Sequence, residues 1–410
     1  MQYFFILGNN PTLSCAELMS FFSLAKNQDT KIIATHDNFL ILEFANKLNI
    51  KEIIQKIGGT IKIGEVLGEA SNIEIIQKQI LKLDFLDLAQ IDYKFKFGIS
   101  VYGGKFNSKR LAMEFKRELR EREISVRWVI SREPNLSSVV VTQNKLIDLG
   151  IEIVVMRADG KIIFGRTLAV QDFKALSRRD YGRPARDDKS GMLPPKLAQI
   201  MINLSGASHK DTLLDPFCGS GTILSEAMLM GYEKLIGSDL SRKAINDTRQ
   251  NLDWICEEFK LNKKNLIKAP EPGPKGPPNY QLINHDAQKI SETIKANSID
   301  AIITEPYLGP QRGYHEFRKT ISELEILYTN FLKEAQRILK PSGHIVMIWP
   351  IFLDKKRKSK KFLHPKLGDF KIKNIFTLKN LDFKINLSFR KTMIYGRANQ
   401  KVWREIVILE

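Results

Sequence analysis

The fold is decided by Thr212-Leu-Leu-Asp-Pro-Phe-Cys-Gly-Ser-Gly-Thr-Ile-Leu-Ser-Glu-Ala227. The stretch opens with apolar residues typical of a buried strand, which ends at Asp215. It continues through Gly219 and Gly221 into a helical pattern that ends near Gly231. Glycines let a backbone approach a ligand closely, and the start of a helix offers free N–H groups. The stretch therefore predicts a strand, a ligand-binding turn and a helix.

Two features distinguish this turn from a dinucleotide-binding turn. A dinucleotide fingerprint needs G-x-G-x-x-G, and its third glycine position is Leu224 here. Asp215 stands immediately before the turn, where a carboxylate suits a positively charged ligand better than a pyrophosphate. S-adenosylmethionine, which carries an ammonium and a sulfonium, is such a ligand.

Two further acids end the strand candidates that follow. Leu235-Ile-Gly-Ser-Asp239 places a carboxylate twenty residues beyond Gly219, the distance at which an acid in a βαβ unit meets ribose hydroxyls. Ile283-Asn-His-Asp286 ends the next strand candidate, where a carboxylate can accept from an adenine amino group. A lone acid of this kind is more often a solvated loop residue. Three acids at successive strand ends predict one binding site at the carboxyl edge of a sheet.

Alternating strand and helix patterns continue from residue 191 onward and predict a parallel, doubly wound α/β sheet. The polar residues 177–191 break the periodicity and predict a domain boundary. Residues 269–278 hold five prolines and predict an inserted surface loop.

The first 170 residues predict α+β structure. Strand and helix candidates alternate at residues 3–7, 14–24, 39–44 and 47–57. Residues 93–101 alternate apolar and polar side chains, which predicts a half-buried strand, and an amphipathic helix begins at Ser108. Short strand candidates follow at residues 125–129, 138–141, 151–156 and 162–165.

The charge of the chain favours a polyanionic partner. Its 64 Lys and Arg minus 46 Asp and Glu give +18, which attracts nucleic acid first and an anionic membrane surface second. The helix from Ser108 carries basic side chains on its polar faces, compatible with an RNA-facing patch and equally with a plain solvated surface. The run Lys355-Lys-Arg-Lys-Ser-Lys-Lys361 is compatible with a phosphate-contacting loop, a nuclear address or a solvated charge run.

Several protein classes are excluded by composition. No run of 18 or more apolar residues exists, so we expect no membrane-spanning segment. The first eight residues lack the regions of a signal peptide. Three cysteines, Cys15, Cys218 and Cys256, are too few and too far apart for a disulfide framework or a zinc cluster. We expect a soluble, cytoplasmic, multidomain protein without a bound metal.

Motifs along nearly the whole chain resemble one family, the THUMP-domain tRNA guanine-N2 methyltransferases that modify guanosine at tRNA position 10. The similar segments are Phe5-Ile-Leu-Gly-Asn-Asn-Pro-Thr-Leu-Ser-Cys-Ala-Glu-Leu18, Arg179-Asp-Tyr-Gly-Arg-Pro-Ala-Arg-Asp187, Gly191-Met-Leu-Pro-Pro-Lys-Leu-Ala198, Asp215-Pro-Phe-Cys-Gly-Ser-Gly-Thr222 and Ile394-Tyr-Gly-Arg-Ala-Asn-Gln-Lys-Val-Trp-Arg-Glu-Ile406. The resemblance implies an N-terminal ferredoxin-like domain (1–72), a THUMP RNA-binding domain (73–170), a linker (171–190) and a Rossmann-like methyltransferase domain (191–410) with a mostly parallel seven-stranded sheet.

The resemblance also implies S-adenosylmethionine as the cofactor, tRNA as the partner and no membrane partner. The residues expected to bind the cofactor are Pro195, Lys196, Asp215, Pro216, Phe217, Gly219, Gly221, Thr222, Asp239, Leu240, Asp286 and Ala287. The basic residues expected to contact RNA are Lys109, Arg110, Lys116, Arg117, Arg120, Arg157, Arg178, Arg179, Arg183 and Arg186. The catalytic residues are expected at Thr304, Glu305, Pro306 and Tyr307.

The catalytic motif departs from the family pattern. The family has Asp or Asn, then Pro-Pro, then Tyr or Phe, whereas this chain has Thr304-Glu-Pro-Tyr307. In the family pattern the acid or amide accepts hydrogens of an exocyclic amine, and the aromatic ring stacks on the extruded base. We therefore hypothesise that Glu305 has taken over amine recognition and that Tyr307 stacks on the base. The amine then attacks the methyl carbon in line with the bond to the sulfonium sulfur, which is the leaving group. No covalent enzyme intermediate forms.

Other functions remain open from the sequence. An altered target or a loss of activity also fits the departure at Thr304. Adenine-N6 methylation of RNA or DNA uses the same amine-binding logic. A non-catalytic RNA-binding protein with a methyltransferase fold is a further alternative, although such a scaffold has no need of Asp215, Asp239 and Asp286 together.

Overall fold

The computed structural model describes residues 1–24, 29–80, 94–158, 160–186, 192–261, 279–310, 317–354, 359–377, 384–397 and 400–410. These residues form two compact units, one built mainly from residues 1–174 and the other mainly from residues 175–410. None of the helices in these ranges combines the length and the apolar character that crossing a bilayer requires. The predicted loop at 269–278 lies outside the described residues.

The first unit is built on one mixed sheet. The elements up to residue 174 are, in chain order, β1 (Gln2–Leu7), α1 (Pro11–Phe21), β2 (Thr30–His36), β3 (Phe39–Phe44), α2 (Ile50–Lys56), β4 (Thr60–Ala70), α3 (Ile73–Ile80), β5 (Phe95–Tyr102), α4 (Ser108–Glu121), β6 (Val126–Val129), α5 (Ser138–Gln143), β7 (Gly150–Ala158) and β8 (Lys161–Val170). Its strands lie in the order β2-β3-β1-β4-β8-β7-β5-β6. Antiparallel pairing of β4 with β8 joins strands from the two expected N-terminal domains into this sheet, and the division at residue 72 stays a prediction.

Two predictions in this unit are wrong. Residues 138–141 belong to helix α5, because the Ser137 side chain accepts a hydrogen bond from the Val140 N–H at 3.3 Å and caps the helix start. The strand predicted at 93–101 is not half-buried. It is β5, which lies between β6 and β7, and its polar Ser100 is completely buried.

Buried charges explain why a polar residue is tolerated at Ser100. The Lys62 ammonium and the Glu152 carboxylate are both fully buried and lie 2.5 Å apart. Ser100 Oγ and Thr167 Oγ1 also donate to Glu152, at 2.5 and 2.6 Å. Lys62 donates a second hydrogen bond to the Leu136 carbonyl at 2.6 Å. The network therefore links β4, β5, β7 and β8 through one satisfied carboxylate.

The second unit is a Rossmann-like α/β layer structure. Its elements are α6 (Phe173–Tyr181), α7 (Pro195–Ser205), β9 (Thr212–Asp215), α8 (Thr222–Met230), β10 (Lys234–Asp239), α9 (Arg242–Glu258), β11 (Asn279–Asn284), a 3₁₀ helix (Ala287–Glu292), β12 (Ile299–Thr304), α10 (Phe317–Ile338), β13 (Leu339–Asp354), β14 (Ser359–Phe362), β15 (Met393–Tyr395) and β16 (Val402–Leu409). The strands follow the order β11-β10-β9-β12-β13-β16-β15, and β14 pairs with β13.

The pairing directions confirm the predicted doubly wound, mostly parallel sheet. β11, β10, β9, β12 and β13 run parallel, whereas β14, β15 and β16 pair antiparallel with their neighbours. Seven strands form the continuous path as predicted, and the described part of the sheet has β14 as an eighth. Tyr328 and Phe331 of α10 pack against one face of the sheet with Trp349 of β13, and all three side chains are fully buried.

The expected break at residues 177–191 begins later than predicted. Helix α6 continues through Tyr181, because its Leu176 is buried and its Arg179 pairs with the buried Glu226 at 2.7 Å. The polar residues up to Tyr181 therefore belong to a helix that packs against the rest of the unit. Their hydrophilic composition alone led to a predicted break that begins too early.

Removing the buried carboxylate of the first unit should destabilise it strongly. In Glu152→Ala the ammonium of Lys62 stays buried without its counter-ion, so we expect the free energy of unfolding of this unit to fall by about 3–5 kcal/mol. Hydrogen exchange of the β5, β7 and β8 amides, resolved by mass spectrometry, measures this separately from the second unit. The double variant Lys62→Met/Glu152→Leu buries no unpaired charge and should recover part of the loss. Equal losses in both variants would contradict the ion-pair explanation.

Candidate active site

A cavity of about 620 Å³ opens at the carboxyl edge of the second unit's sheet. Its size lies within the range of small-molecule sites in proteins. The lining residues come from the segment before α7, from the segments after β9, β10, β11 and β12, and from α8, α9 and α10. They are Met192, Leu193, Asp215, Pro216, Phe217, Cys218, Gly219, Ser220, Thr222, Ile223, Asp239, Leu240, Ser241, Lys243, Ala244, Asp247, Asp286, Ala287, Gln288, Glu305, Pro306, Tyr307, Leu308, Gly309 and Leu327.

The three aspartates predicted from the strand ends line this one cavity. Asp215 ends β9, Asp239 ends the neighbouring β10, and Asp286 follows β11 on the other side of β10. Asp239 accepts from the Gly219 N–H at 3.0 Å and from the Ser241 N–H at 2.8 Å. Each carboxylate is thus fixed by nearby structure rather than left free in solvent, and Asp286 likewise accepts from the Gln288 N–H at 2.9 Å.

The pKa of the Asp215 carboxyl is strongly raised. Burial raises the pKa of its carboxyl to about 7, and the neighbouring charges of Asp239 and Glu305 also raise it. Hydrogen bonds donated by Thr304 Oγ1, at 2.7 Å, and by the Phe217 N–H, at 3.2 Å, act in the opposite direction. A cation in the cavity would favour the ionised form of Asp215 in the same way as these hydrogen bonds.

The glycines of the turn leave the backbone accessible to a ligand. Gly219 has φ +54°, and a Cβ at this position would have no protein atom within 4 Å, so the turn is open on the side that lines the cavity. Gly221 has φ +79° and caps the start of α8. A Cβ there would lie 2.8 Å from Thr248, so Gly221 is required for close packing of α8 on α9 rather than for ligand access.

The charge of the cavity selects a cationic ligand. The lining includes one lysine, Lys243, which pairs with Asp247 at 2.5 Å. The acidic lining residues number five, namely Asp215, Asp239, Asp247, Asp286 and Glu305. This excess of carboxylates would repel a pyrophosphate and would stabilise the ammonium and sulfonium of S-adenosylmethionine. The residues present therefore fit that cofactor.

The predicted catalytic segment lies beside Asp215, and its side chains make different contacts. Thr304 is completely buried and donates to Asp215, so its hydroxyl holds the cofactor-side acid in place. Glu305 lines the cavity and pairs with Arg404 of β16, whose Nε and Nη2 donate to its two oxygens at 2.5 and 3.4 Å. Tyr307 is 59% exposed at the cavity, so a ring face is available for stacking.

Arg404 was not predicted from the sequence. It lies 99 residues from its partner Glu305, and both side chains are only 11% exposed. A signal was present in Arg404-Glu405, two charged residues inside the apolar strand β16, since buried charges are rarely without a partner. The sequence did not indicate which acid that partner was.

Some predicted cofactor residues lie outside the lining set. Pro195 and Lys196 are the first residues of α7, and Gly221 is the N-cap of α8. Cofactor binding by these three residues stays a prediction. Pro216, Phe217, Thr222, Leu240 and Ala287 line the cavity beside the aspartates. Leu240 is 74% exposed, so it presents an apolar surface at the cavity mouth.

The predicted RNA-contacting residues divide into exposed and internal groups. Arg179 and Arg183 lie inside the second unit, where Arg179 binds Glu226 and Arg183 donates to Thr222 Oγ1 at 2.6 Å. These two guanidinium groups support α8 instead of facing solvent, in contrast to the prediction. The exposed ones are Lys109, Arg110, Arg117 and Arg120 of α4, then Arg157, Arg178 and Arg186, and Lys116 is half-buried.

Several exposed arginines also have acidic partners. Arg110 pairs with Glu114 at 2.8 Å, and Arg178 pairs with Glu258 at 2.6 Å. Exposed pairs of this kind are weak and can be exchanged for phosphate. RNA contact by these side chains stays a prediction.

Comparison with known proteins finds methyltransferases. A family model described as the RMKL-like methyltransferase domain matches residues 183–363, and one described as DNA methylase matches residues 49–250. The crystal structure of TrmN from Thermus thermophilus aligns with 100% of this chain and 99% of that chain, with a TM-score of 0.54 and 16% identity. This likeness shows that the fold is shared.

The proteins that are similar in sequence include tRNA methyltransferases. The chain is 34% identical over 201 residues to the tRNA (guanine(10)-N2)-dimethyltransferase of Methanothermobacter thermautotrophicus. The aligned region covers 46% of this chain and 51% of that protein. It is 26% identical over 318 residues to the protein of the same name from Pyrococcus abyssi, covering 75% of this chain and 78% of that protein. The chain thus spans about half the length of the first relative. The acidic cavity and these matches show that the chain is similar to Rossmann-like, S-adenosylmethionine-dependent methyltransferases, among them proteins named tRNA (guanine(10)-N2)-dimethyltransferase.

Proposed function

We propose that this protein is a tRNA methyltransferase that transfers a methyl group from S-adenosylmethionine to the exocyclic N2 amine of a guanosine, at position 10 of tRNA. The observation that carries the proposal is one cavity in which three strand-end aspartates face Glu305 and the exposed ring of Tyr307. The names of the relatives and the charge of +18 support tRNA as the substrate, and we expect the enzyme to act in the cytoplasm.

Asp215, Asp239 and Asp286 are the residues that would hold the cofactor. Asp239 and Asp286 follow neighbouring strands and offer acceptors for the ribose hydroxyls and the adenine amino group, while Asp215 and the Gly219 turn face the cationic part. When bound, S-adenosylmethionine supplies an electrophilic methyl group on its sulfonium. The chain's own contribution is to orient the amine, exclude water and accept hydrogen bonds.

Glu305 and Tyr307 are the residues that would hold the base. Tyr307 offers an exposed ring on which an extruded base stacks. The Glu305 carboxylate accepts N–H hydrogens, and guanine presents two adjacent donors, N1–H and N2–H, to such a group. Adenine places an N1 acceptor beside its amine, which a carboxylate repels. The Glu305 carboxylate, held by Arg404, therefore favours guanine over adenine.

The identity of the methylated nucleoside tests the proposal. Unmodified tRNA transcripts incubated with labelled cofactor should gain label as N2-methylated guanosine at position 10, located by mass spectrometry of nuclease fragments. A ligated transcript with inosine at position 10 keeps N1–H but lacks the N2 amine, and it should gain no label at this position. N6-methyladenosine as the product would favour the adenine alternative. Cofactor binding without transfer to any tRNA would favour the non-catalytic alternative.

Cofactor affinity should depend on pH through Asp215. Below its pKa of about 7 the carboxyl is protonated and must lose that proton to stabilise a cation. The affinity for S-adenosylmethionine should therefore weaken as the pH falls through 7 and level off above it. Asp215→Asn should bind about tenfold more weakly at pH 8 and should lose this pH dependence. Equilibrium dialysis with labelled cofactor measures both, with Glu233→Gln, an exposed acid outside the lining set, as the control. A wild-type affinity independent of pH would exclude this role.

Glu305 and Arg404 should behave as one functional pair. Glu305→Gln removes the charged acceptor and should lower kcat about 100-fold while leaving cofactor affinity within threefold. Arg404→Gln removes the two donors that hold the Glu305 carboxylate in place, so its kcat should fall about tenfold while its cofactor affinity stays within threefold of wild type. The double variant should be little worse than Glu305→Gln alone. Single-turnover methylation assays measure these effects.

Arg397→Gln is a matched control, because it also removes one guanidinium, at an exposed position of the same unit. Additive losses in the Glu305/Arg404 double variant, or an Arg404→Gln loss that is confined to cofactor affinity, would show that Arg404 does not act through Glu305.

A further inference from the structure

Strand β13 continues beyond the edge of the sheet at which the cavity opens. Its Met347 pairs with Thr304, the last residue of β12, and β13 then extends to Asp354. The extension is paired on one side with β14 and on the other with β16. Ile351 pairs with Phe362 of β14 and with Trp403 of β16. Residues that pair across neighbouring strands lie on the same face of a sheet, so Phe362 and Trp403 share one face of this extension. Arg404, the next residue along β16, lies on the opposite face.

The face that carries Phe362 and Trp403 also presents an exposed aromatic ring. Phe389 is 66% exposed, and its ring makes an edge contact with Phe362 at a centroid distance of 5.1 Å. His364 lies 6.0 Å from Phe389, tilted by 34°. Phe389 therefore offers an exposed, flat apolar surface on this face, on which another ring could stack.

Arg390 fixes this ring to the fold. Its guanidinium binds the fully buried Glu405 through Nε and Nη2, at 3.3 and 2.9 Å. The same guanidinium lies 4.9 Å from the ring centroid of Phe389 and 5.0 Å from that of Trp349. The arginine is therefore held by two rings and a carboxylate, and Phe389 is positioned before any partner arrives.

Further cations surround these rings. Lys360 Nζ lies 4.7 Å above the ring of Trp403, and Lys361 and Lys391 are exposed next to Phe362 and Arg390 in the chain. Lys360 and Lys361 are the described end of the basic run 355–361, whose residues 355–358 lie outside the described ranges. Alternating rings and cations are the features with which proteins bind unpaired nucleotides, stacking the base and contacting the phosphate.

We infer that Lys360, Phe362, His364, Phe389, Arg390 and Trp403 form a second RNA contact, here named the Phe389 surface, which holds an unpaired nucleotide of the substrate RNA. The inference rests on the proposed function for the identity of the partner as RNA. A base stacks on Phe389, and its phosphates contact Lys360 and neighbouring lysines. A protein partner is disfavoured because the rings are interspersed with cations, which an apolar protein interface would have to desolvate.

RNA affinity of full-length variants tests the surface without methyl transfer. Fluorescence anisotropy with a labelled tRNA transcript should show binding about tenfold weaker for Phe389→Ala, whereas Phe389→Trp, which keeps an aromatic face, should stay within threefold of wild type. Lys360→Gln should lower the slope of log affinity against log salt by about 0.7. Ile326→Ala, which removes an equally exposed apolar side chain of α10, should change nothing.

Each outcome decides the inference. Thermal unfolding of every variant shows whether it is folded. If the alanine variant is unstable, the Lys360→Gln salt slope decides instead, and a slope equal to that of wild type would refute the surface. Phe389→Ala and Phe389→Trp affinities both within twofold of wild type, or equal losses for both variants, would refute the Phe389 surface. RNA binding that depends on Phe389 without any methylated product would instead refute the proposed function alone. Normal methylation with binding indifferent to Phe389 would refute the surface alone.

Discussion

The hydrogen bond from Thr304 Oγ1 to Asp215 Oδ1, 2.7 Å long, joins the two halves of the active site. It links the last residues of β9 and β12, two neighbouring parallel strands that end at the same edge. Because both groups are buried, neither can exchange its partner for water. The distance between the cofactor side and the base side of the cavity is therefore set by the sheet itself.

Much of this site could be predicted because parallel strands carry their carboxyl ends to one edge. Three acids at successive strand ends had to converge once the sheet was parallel, and the sequence showed the alternation of strands and helices. Interactions between distant side chains could not be predicted in this way. Arg404 reaches Glu305 across 99 residues, and no local periodicity encodes that pairing. Residues 138–141 illustrate the converse, since a valine-rich run looked like a strand while a single serine cap made it helical.

The unusual Thr-Glu sequence becomes intelligible once Arg404 is included. Threonine at position 304 cannot accept an amine as a carboxylate does, but it donates to Asp215, which an acid at this position could do only if protonated. Our hypothesis places the catalytic carboxylate one residue further along, at Glu305, where a nearly buried carboxylate would be unfavourable without a cation. Arg404 supplies that cation. Thr304, Glu305 and Arg404 therefore form one electrostatic unit around Asp215. A substitution at any of these three positions changes the charge environment of the site.

Strand β16 places two consecutive charged residues on opposite faces of the sheet, with Arg404 bound to Glu305 on one side and Glu405 bound to Arg390 on the other. Side chains along a strand alternate with a period of two, so a slip of one residue would turn the arginine toward Arg390 and the glutamate toward Glu305. Both sides would then hold like charges in contact. The alternation therefore opposes a one-residue slip of β16 by repulsion between like charges as well as by attraction within the two native pairs.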